Sequence, residues 1–376
     1  MRIGFVADAA YPWFRGGMEK RRFLIAQALK GAGHEVHIFT MFREGMPGME
    51  FAYKGIHYHC VGKAIPAGEM YKNGRRNIRW PLKFAALLDL KLWNYKFDVI
   101  DTDSFPFLHI PKVAAYAHLT GAKFIVTWHE VWDRAYWQKY LPGVGLLGYV
   151  TEKLSAVASK RKFAVSSATK QGLIDVLNAP ESNITLFPAA ISKAEMSALS
   201  KGRKPGKSDK FIAIGRLVPE KRIDIAIRAV AGTSAKLTVV GSGPEKQKLS
   251  VLAKKLGASG RIKFVETIAP NRLMREVSES RALLMFSARE GMSIVSVEAL
   301  ALGTPVIITK STSLPSEIRR YCHAIDEKDL GGSLGMLLKN KKSVLYRKDA
   351  NRREILERFS AEKGIGLYER LAADAL

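Results

Sequence analysis

Apolar residues along the chain gather in short consecutive runs rather than in strict alternation. RIGFVAD (2–8), EVHIFT (35–40), GIHYHCV (55–61), FDVID (97–101), AKFIVTW (122–128), KFAVSS (162–167) and ITLF (184–187) form one series. KFIAIG (210–215), KLTVVG (236–241), IKFV (262–265), RALLMF (281–286) and PVIIT (305–309) form a second. Such runs read as strands covered on both faces, as in a parallel sheet. Helix-like stretches separate them, so the expected class is α/β and doubly wound, with too many strands for one small sheet. The alternation breaks at 189–209, AAISKAEMSALSKGRKPGKSD, and restarts at Lys210. The Lys/Gly/Pro/Ser end of that stretch reads as a linker. The expectation is two Rossmann-like domains, 1–188 and 189–349, facing across a central cleft, with a helical tail about 350–376 that feeds no further strand. Ligands of open α/β sheets sit at the carboxyl ends of strands, so residues that follow strands matter most.

Composition changes this picture little. The 376 residues are 47% apolar and 25% charged, as in an ordinary globular protein of two domains. No apolar run approaches the ~18 residues of a membrane span. The start, MRIGFVADAAYPW, reads as the mature N-terminus of a cytoplasmic protein. Two distant cysteines, Cys60 and Cys322, suit a reducing compartment. Charge does change the picture. The net charge is +25, and Lys+Arg exceed Asp+Glu by 25 to 15 in residues 1–188 and by 35 to 20 in 189–376. Such a field attracts phosphates, whether of nucleic acid, lipid or a small molecule.

Several loops are candidates for the phosphate. GRKPGKS (202–208) imitates a P-loop but is one residue short and precedes a strand, so it reads as a basic linker. VVGSGPEK (239–246) follows a strand but lacks the third glycine of a dinucleotide fingerprint; Gly241 and Gly243 still make a tight turn at a strand end. In YPWFRGGMEKRR (11–22), Gly16 and Gly17 open the first helix, either as a flexible connection or as backbone that approaches a phosphate or sugar. In IGRLVPEKRID (214–224), Arg216 and Lys221 are either solvated cations or a pair for a diphosphate. EGMSIVSVEALALG (290–303) predicts a helix from about Ser293 to a glycine cap at Gly303. Its N-terminus, with free N–H groups around Met292–Val295, is an anion site, and Glu298 lies on the face of Ile294 and Val295. Glu290 stands one loop earlier. A ribose diol, a diphosphate and a second sugar would satisfy these features together.

The ordered set resembles the retaining glycosyltransferases of the GT-B fold, family 4. E-G-M-S-I-V-S-V-E-A-L-A-L-G-T-P-V-I looks like their E-x7-E segment. G-G-M-E-K-R, T-W-H-E (127–130), V-S-S-A-T-K (165–170), G-R-L-V-P-E-K and V-G-S-G-P-E are similar to the remaining family segments, in the right order and over nearly the whole chain. The resemblance implies transfer of a sugar from a nucleotide-diphosphate sugar to an acceptor hydroxyl, without a metal or other cofactor. It implies that Arg216 and Lys221 neutralise the diphosphate and that Glu298 binds the ribose. Glu290 and the backbone of Gly291, Met292, Ser293 and Ile294 would contact donor sugar and phosphates, and His129 would reach the transferred sugar. Gly16, Gly17 and Gly241 would line the donor, as would Thr267 in the turn VETIAP (265–270) near the base. The C-terminal helix would pack back on the first domain. The sequence departs from the family at Gly291-Met292-Ser293, at Ala189-Ala190, near Ser311–Pro315 and at Glu266.

Other candidates concern the acceptor and the surface. Asp101 and Asp103 imitate a metal-binding D-x-D, but a structural or acceptor-side role is expected and no metal. His57 and His59 lack a matching Cys/His cluster and read as ordinary strand histidines. Tyr11, Trp13, Asp103 and Trp132 are acceptor-side candidates, the last in WHEVWDRAYWQKYLPGVGLLGYV (128–150), rich in aromatic faces for a sugar, lipid or glycan. YKNGRRNIRWPLKFAALLDLKLW (71–93) is basic with Phe84, Leu87, Leu88 and Leu92 at helical spacing. Either it packs on the core or it lies on an anionic membrane, which would place the protein at the inner face of the cell membrane. Nucleic acid is the alternative partner, suggested by RRNIRW (75–80), but no recognisable nucleic-acid module accompanies it. A non-catalytic sugar-nucleotide sensor is a further alternative.

Overall fold

The computed structural model describes residues 1–66, 71–72, 75–77, 79–200, 209–339 and 349–373. GRKPGKS (202–208) therefore lies outside the described residues, as do 73, 74 and 78 of the basic segment and 374–376 of the tail. The chain divides into two compact units. One comprises Met1–Ala190 with Ala361–Leu376, the other Ile191–Ser360.

In the first unit the strands are β1 (Arg2–Val6), β2 (Glu35–Phe42), β3 (Glu50–Tyr53), β4 (Ile56–Lys63), β5 (Tyr71–Lys72), β6 (Arg75–Arg76), β7 (Val99–Asp103), β8 (Lys123–Trp128), β9 (Arg161–Ala164) and β10 (Ile184–Leu186). Eight form one sheet in the order β10-β9-β8-β7-β1-β2-β4-β3, and β5 and β6 pair separately. Within the eight-stranded sheet every pairing is parallel except β3 with β4, and β5 and β6 are antiparallel. That edge strand returns through Lys54–Gly55, both at positive φ, the geometry of a tight hairpin turn. Consecutive buried residues such as Val36–Met41 fill both faces, as the runs predict. Helix starts are capped locally: Ser166 Oγ accepts from Thr169 N at 3.1 Å, and Asp133 Oδ1 from Tyr136 N at 2.7 Å.

Of the described residues in 71–93, Trp80, Phe84, Leu88 and Leu92 are fully buried and tie the helix Arg79–Leu87 and its continuation to the core, while Leu82 and Trp93 stay exposed.

The second unit contains β11 (Lys210–Ile214), β12 (Lys236–Val240), β13 (Ile262–Val265), β14 (Ala282–Leu284), β15 (Val306–Thr309) and β16 (His323–Ile325). They form a parallel six-stranded sheet in the order β13-β12-β11-β14-β15-β16. Helices such as Ile223–Ala231 cover it with Ile223, Ile225, Ile227 and Val230 buried.

The expectation of a single tail packing back on the first domain from about residue 350 needs correction. The tail is two helices. Asp349–Arg358 belongs to the second unit, where Arg352 Nε donates to Ala301 O at 2.8 Å. Lys363–Ala373 belongs to the first, where it packs on the helix Gly17–Gly31 and on β7. Its Tyr368 is fully buried against Phe5 and Phe163, and its hydroxyl donates to Asp101 Oδ2. Thr127 Oγ1 donates to Asp101 Oδ1 at 2.8 Å.

Burial pushes the Asp101 carboxyl up to about 7, against the opposing pull of the bonds from Tyr368 and Thr127. The folded chain thus keeps a proton that the unfolded chain, with its ordinary aspartate near 4, has released. Stability must then fall as pH rises from about 4 to about 7. Asp101→Asn is expected to flatten that part of a plot of Tm against pH; an unchanged slope would remove Asp101 as its source.

Candidate functional site

Each sheet has a switch point where the chain turns from winding one way to the other. In the second unit it lies between β11 and β14. Loops from the carboxyl ends of these neighbours meet there, the place where ligands of open α/β sheets bind. The loop after β11 turns through Pro219–Lys221, and Ala288 N in the loop after β14 donates to Glu220 O at 2.8 Å. That bond brings Lys221 and Glu290 together, with Nζ to Oε1 at 2.5 Å. Arg216 leaves the same strand end and is exposed. Gly241 and Gly243, in the loop after β12, have a packing duty. A Cβ on Gly241 would stand 1.9 Å from Gly215 O and one on Gly243 2.4 Å from Leu217 O. Both sit at positive φ, so the two loops close on each other only with glycine there.

The helix Ile294–Ala301 begins beside this pair. Ser293 Oγ bonds Ser296 Oγ at 2.8 Å and makes no side-chain cap to the backbone. The helix end therefore keeps the electropositive character that attracts an anion. Gly303, at φ 80°, ends the helix as expected. Glu298 lies inside the helix at 4% exposure. Gly291 and Met292 are half-buried, and Ser293 and Ile294 are buried. Thr267 stands apart: it is exposed and follows the edge strand β13, whose neighbouring Glu266 pairs with Lys246 at 2.6 Å.

In the first unit the switch point lies between β1 and β7. Asp103 ends β7 and is buried. Its Oδ1 accepts from His129 Nε2 at 2.8 Å, and its Oδ2 from Arg22 Nη2. Burial opposes the charge, but Arg22 and His129 beside it hold Asp103 well below the ordinary carboxylate range. Arg22 also donates to Ala9 O at 2.7 Å. The oxygens of Asp101 and Asp103 are thus engaged by protein donors. Among the described residues no group of three or more His, Cys, Asp or Glu is arranged to hold a metal.

Gly16 precedes the helix Gly17–Gly31 in extended conformation, and its neighbour Glu19 occupies the space a Cβ would take. Tyr11 packs on Phe23, with ring centroids 5.2 Å apart. Trp13 lies edge-on to Phe51, Tyr53 and Tyr58, and its Nε1 donates to Gly45 O at 2.8 Å. Trp132 packs among Phe105, Tyr136, Trp137 and Tyr140, its ring tilted or edge-on to each. His59 is bonded to His37 at 2.8 Å and to Glu50. Arg22 and Tyr368, the partners of the aspartates, carry no signal of that role in the sequence, although Arg22 ends YPWFRGGMEKRR (11–22).

Residues 15–195 match the family model described as Glycosyltransferase Family 4, and 197–327 the model described as Glycosyl transferases group 1. An uncharacterized glycosyltransferase of Methanocaldococcus jannaschii is 26% identical over 350 residues, covering 86% of this chain and 84% of its own. N-acetyl-alpha-D-glucosaminyl L-malate synthase of Bacillus anthracis is 27% identical over 194 residues, 49% of this chain and 50% of that one. Sucrose-phosphate synthase of Thermosynechococcus elongatus superposes with a TM-score of 0.78 at 17% identity, over the whole of both chains. HepE of Anabaena, solved with UDP and glucose, does so with a TM-score of 0.72 at 16% identity, also over the whole of both chains. Two parallel-sheet units of this kind are the GT-B fold. The chain belongs to the GT-B glycosyltransferases of group 1 and family 4.

Removing one partner of a buried ion pair leaves an uncompensated charge. Arg22→Met is therefore expected to lower unfolding stability by about 3–5 kcal/mol in urea titrations. A loss below about 1 kcal/mol, the range of exposed pairs, would mean that Asp103 does not depend on Arg22.

Proposed function

We propose that the chain moves a sugar from a nucleotide-diphosphate sugar to an acceptor hydroxyl with retention of configuration, and that the second unit holds the donor. The observation that carries this is the group at the β11/β14 switch point: Arg216, the Lys221–Glu290 pair, an uncapped helix end and buried Glu298. A diphosphate would take Lys221 from Glu290 and place its charge against Arg216 and the helix end. These groups stabilise charge growing on the leaving diphosphate, the work a metal would otherwise do. Glu290, freed, accepts from donor-sugar hydroxyls, and Glu298 from the ribose. The leaving phosphate takes the acceptor proton on the same face, so no protein base is required. In the first unit Asp103 fixes the His129 ring for a contact to the transferred sugar. HepE, a neighbour in fold, is described with UDP and glucose, which supports a nucleotide-sugar donor.

A thermal-shift panel of UDP-, GDP- and ADP-sugars, with and without Mg²⁺, tests this. A ligand at a hundredfold excess over its Kd stabilises the folded state by about 2.7 kcal/mol. One nucleotide series should raise Tm regardless of Mg²⁺, and Arg216→Ala and Glu298→Ala should each reduce the shift. A flat panel, or full binding by Glu298→Ala, would sink the assignment.

A further inference from the structure

The helix Gly145–Val157 is built inside out. Its inward face carries Gly145, Glu152, Ser155 and Ala156, all buried. Glu152 is fully buried and holds the neighbouring aromatic loop: Oε1 accepts from Trp132 N at 3.1 Å and Oε2 from Trp137 Nε1 at 2.5 Å. The apolar residues face water instead. Leu146, Leu147, Val150, Leu154 and Val157 are 45%, 68%, 44%, 65% and 77% exposed, with Val144 beside them at 52%. At helical spacing the five helix positions fall within an arc of about 100°, opposite the buried set. A soluble helix normally turns such a stripe inward, so a contiguous exposed one marks a contact surface.

Charge selects the partner. From Glu130 to Arg161 the charged residues are Glu130, Asp133, Arg134, Lys139, Glu152, Lys153, Lys160 and Arg161. Of the three carboxylates Glu152 is buried, while Glu130 and Asp133 accept from Trp132 Nε1 and Tyr136 N, so the five cations dominate the charge offered to solvent. A second copy seated on this face in two-fold symmetry would oppose these cations to their own images, in a chain already at +25. An anionic lipid surface complements both features. The helix has 13 residues, too short to span a bilayer core of about 30 Å at about 1.5 Å per residue. It suits burial in the plane of the interface.

We propose that the helix Gly145–Val157 docks the first unit on an anionic bilayer, its leucines and valines in the acyl boundary and the flanking lysines and arginines at the headgroups. This goes beyond the transfer reaction and needs no donor, so it stands or falls separately from the nucleotide-sugar assignment. Glu152 ties the helix to Trp132, so docking brings the aromatic acceptor-side loop to the lipid surface.

Co-sedimentation of the full chain with phosphatidylglycerol-containing vesicles, against pure phosphatidylcholine vesicles, tests it. The chain should bind the anionic vesicles and prefer them. Leu147→Glu with Leu154→Glu should cut binding by about tenfold or more, since each leucine loses its burial in lipid. Both positions are exposed, and an unchanged Tm verifies the fold. Val251→Glu with Met336→Glu makes the same charge change at apolar sites of the second unit that are 50% and 68% exposed, and should bind as wild type. No binding to anionic vesicles, or equal losses in both double variants, would overturn the proposal. So would a dimer in sedimentation velocity that the leucine substitutions dissolve, which would make a second copy the occupant.

Discussion

A carboxylate buried at the end of a strand stays charged only if cations are brought to it, and Asp103 sets that condition for the first unit. Arg22 comes from the helix after β1, His129 from the end of β8, and Asp103 itself from β7. Two neighbouring strand ends and a helix are therefore cross-linked by one charge. Desolvation makes the arrangement all or none, because each partial version strands a charge in low dielectric. The same condition orients the histidine ring, so a buried charge and the positioning of a candidate sugar contact are one interaction.

The second unit solves the corresponding problem with backbone. Gly241 and Gly243 let one loop press onto another, and the bond from Ala288 N to Glu220 O sets the distance between Lys221 and Glu290. Charge there is paired within the protein and only partly covered. One unit thus buries its ion pair fully, while the other leaves its pair in part open to solvent.

Much of this was legible in the order of residues. Consecutive apolar runs predicted twelve of the strands, because burial on both faces leaves a dense signal. Glu50–Tyr53, Tyr71–Lys72, Arg75–Arg76 and His323–Ile325 escaped, the first half-polar at an edge and the others only two or three residues long. The donor-side candidates rest on local motifs and the family resemblance. The pairing of Arg22 with Asp103, 81 positions apart, and of Tyr368 with Asp101, 267 apart, has no periodicity to betray it. The division of the tail is illegible for a related reason, since nothing local says that Asp349–Arg358 and Lys363–Ala373 serve different units. The helix Gly145–Val157 has a readable amphipathic pattern, but which face turns inward is decided by Glu152 finding two indole-bearing partners nearby.

The return of Lys363–Ala373 to the first unit has a consequence during synthesis. Domains generally complete themselves in the order they leave the ribosome. Here that order is inverted. Ile191–Ser360 is contiguous and can close as soon as it emerges, while the earlier unit waits for Ala361–Leu376. Until Tyr368 arrives, the cavity it fills beside Phe5 and Phe163 is open and Asp101 lacks its hydroxyl. The nascent chain therefore carries an unfinished first unit past a finished second one, and a ribosome that stalls late releases a protein whose oldest residues are its least settled.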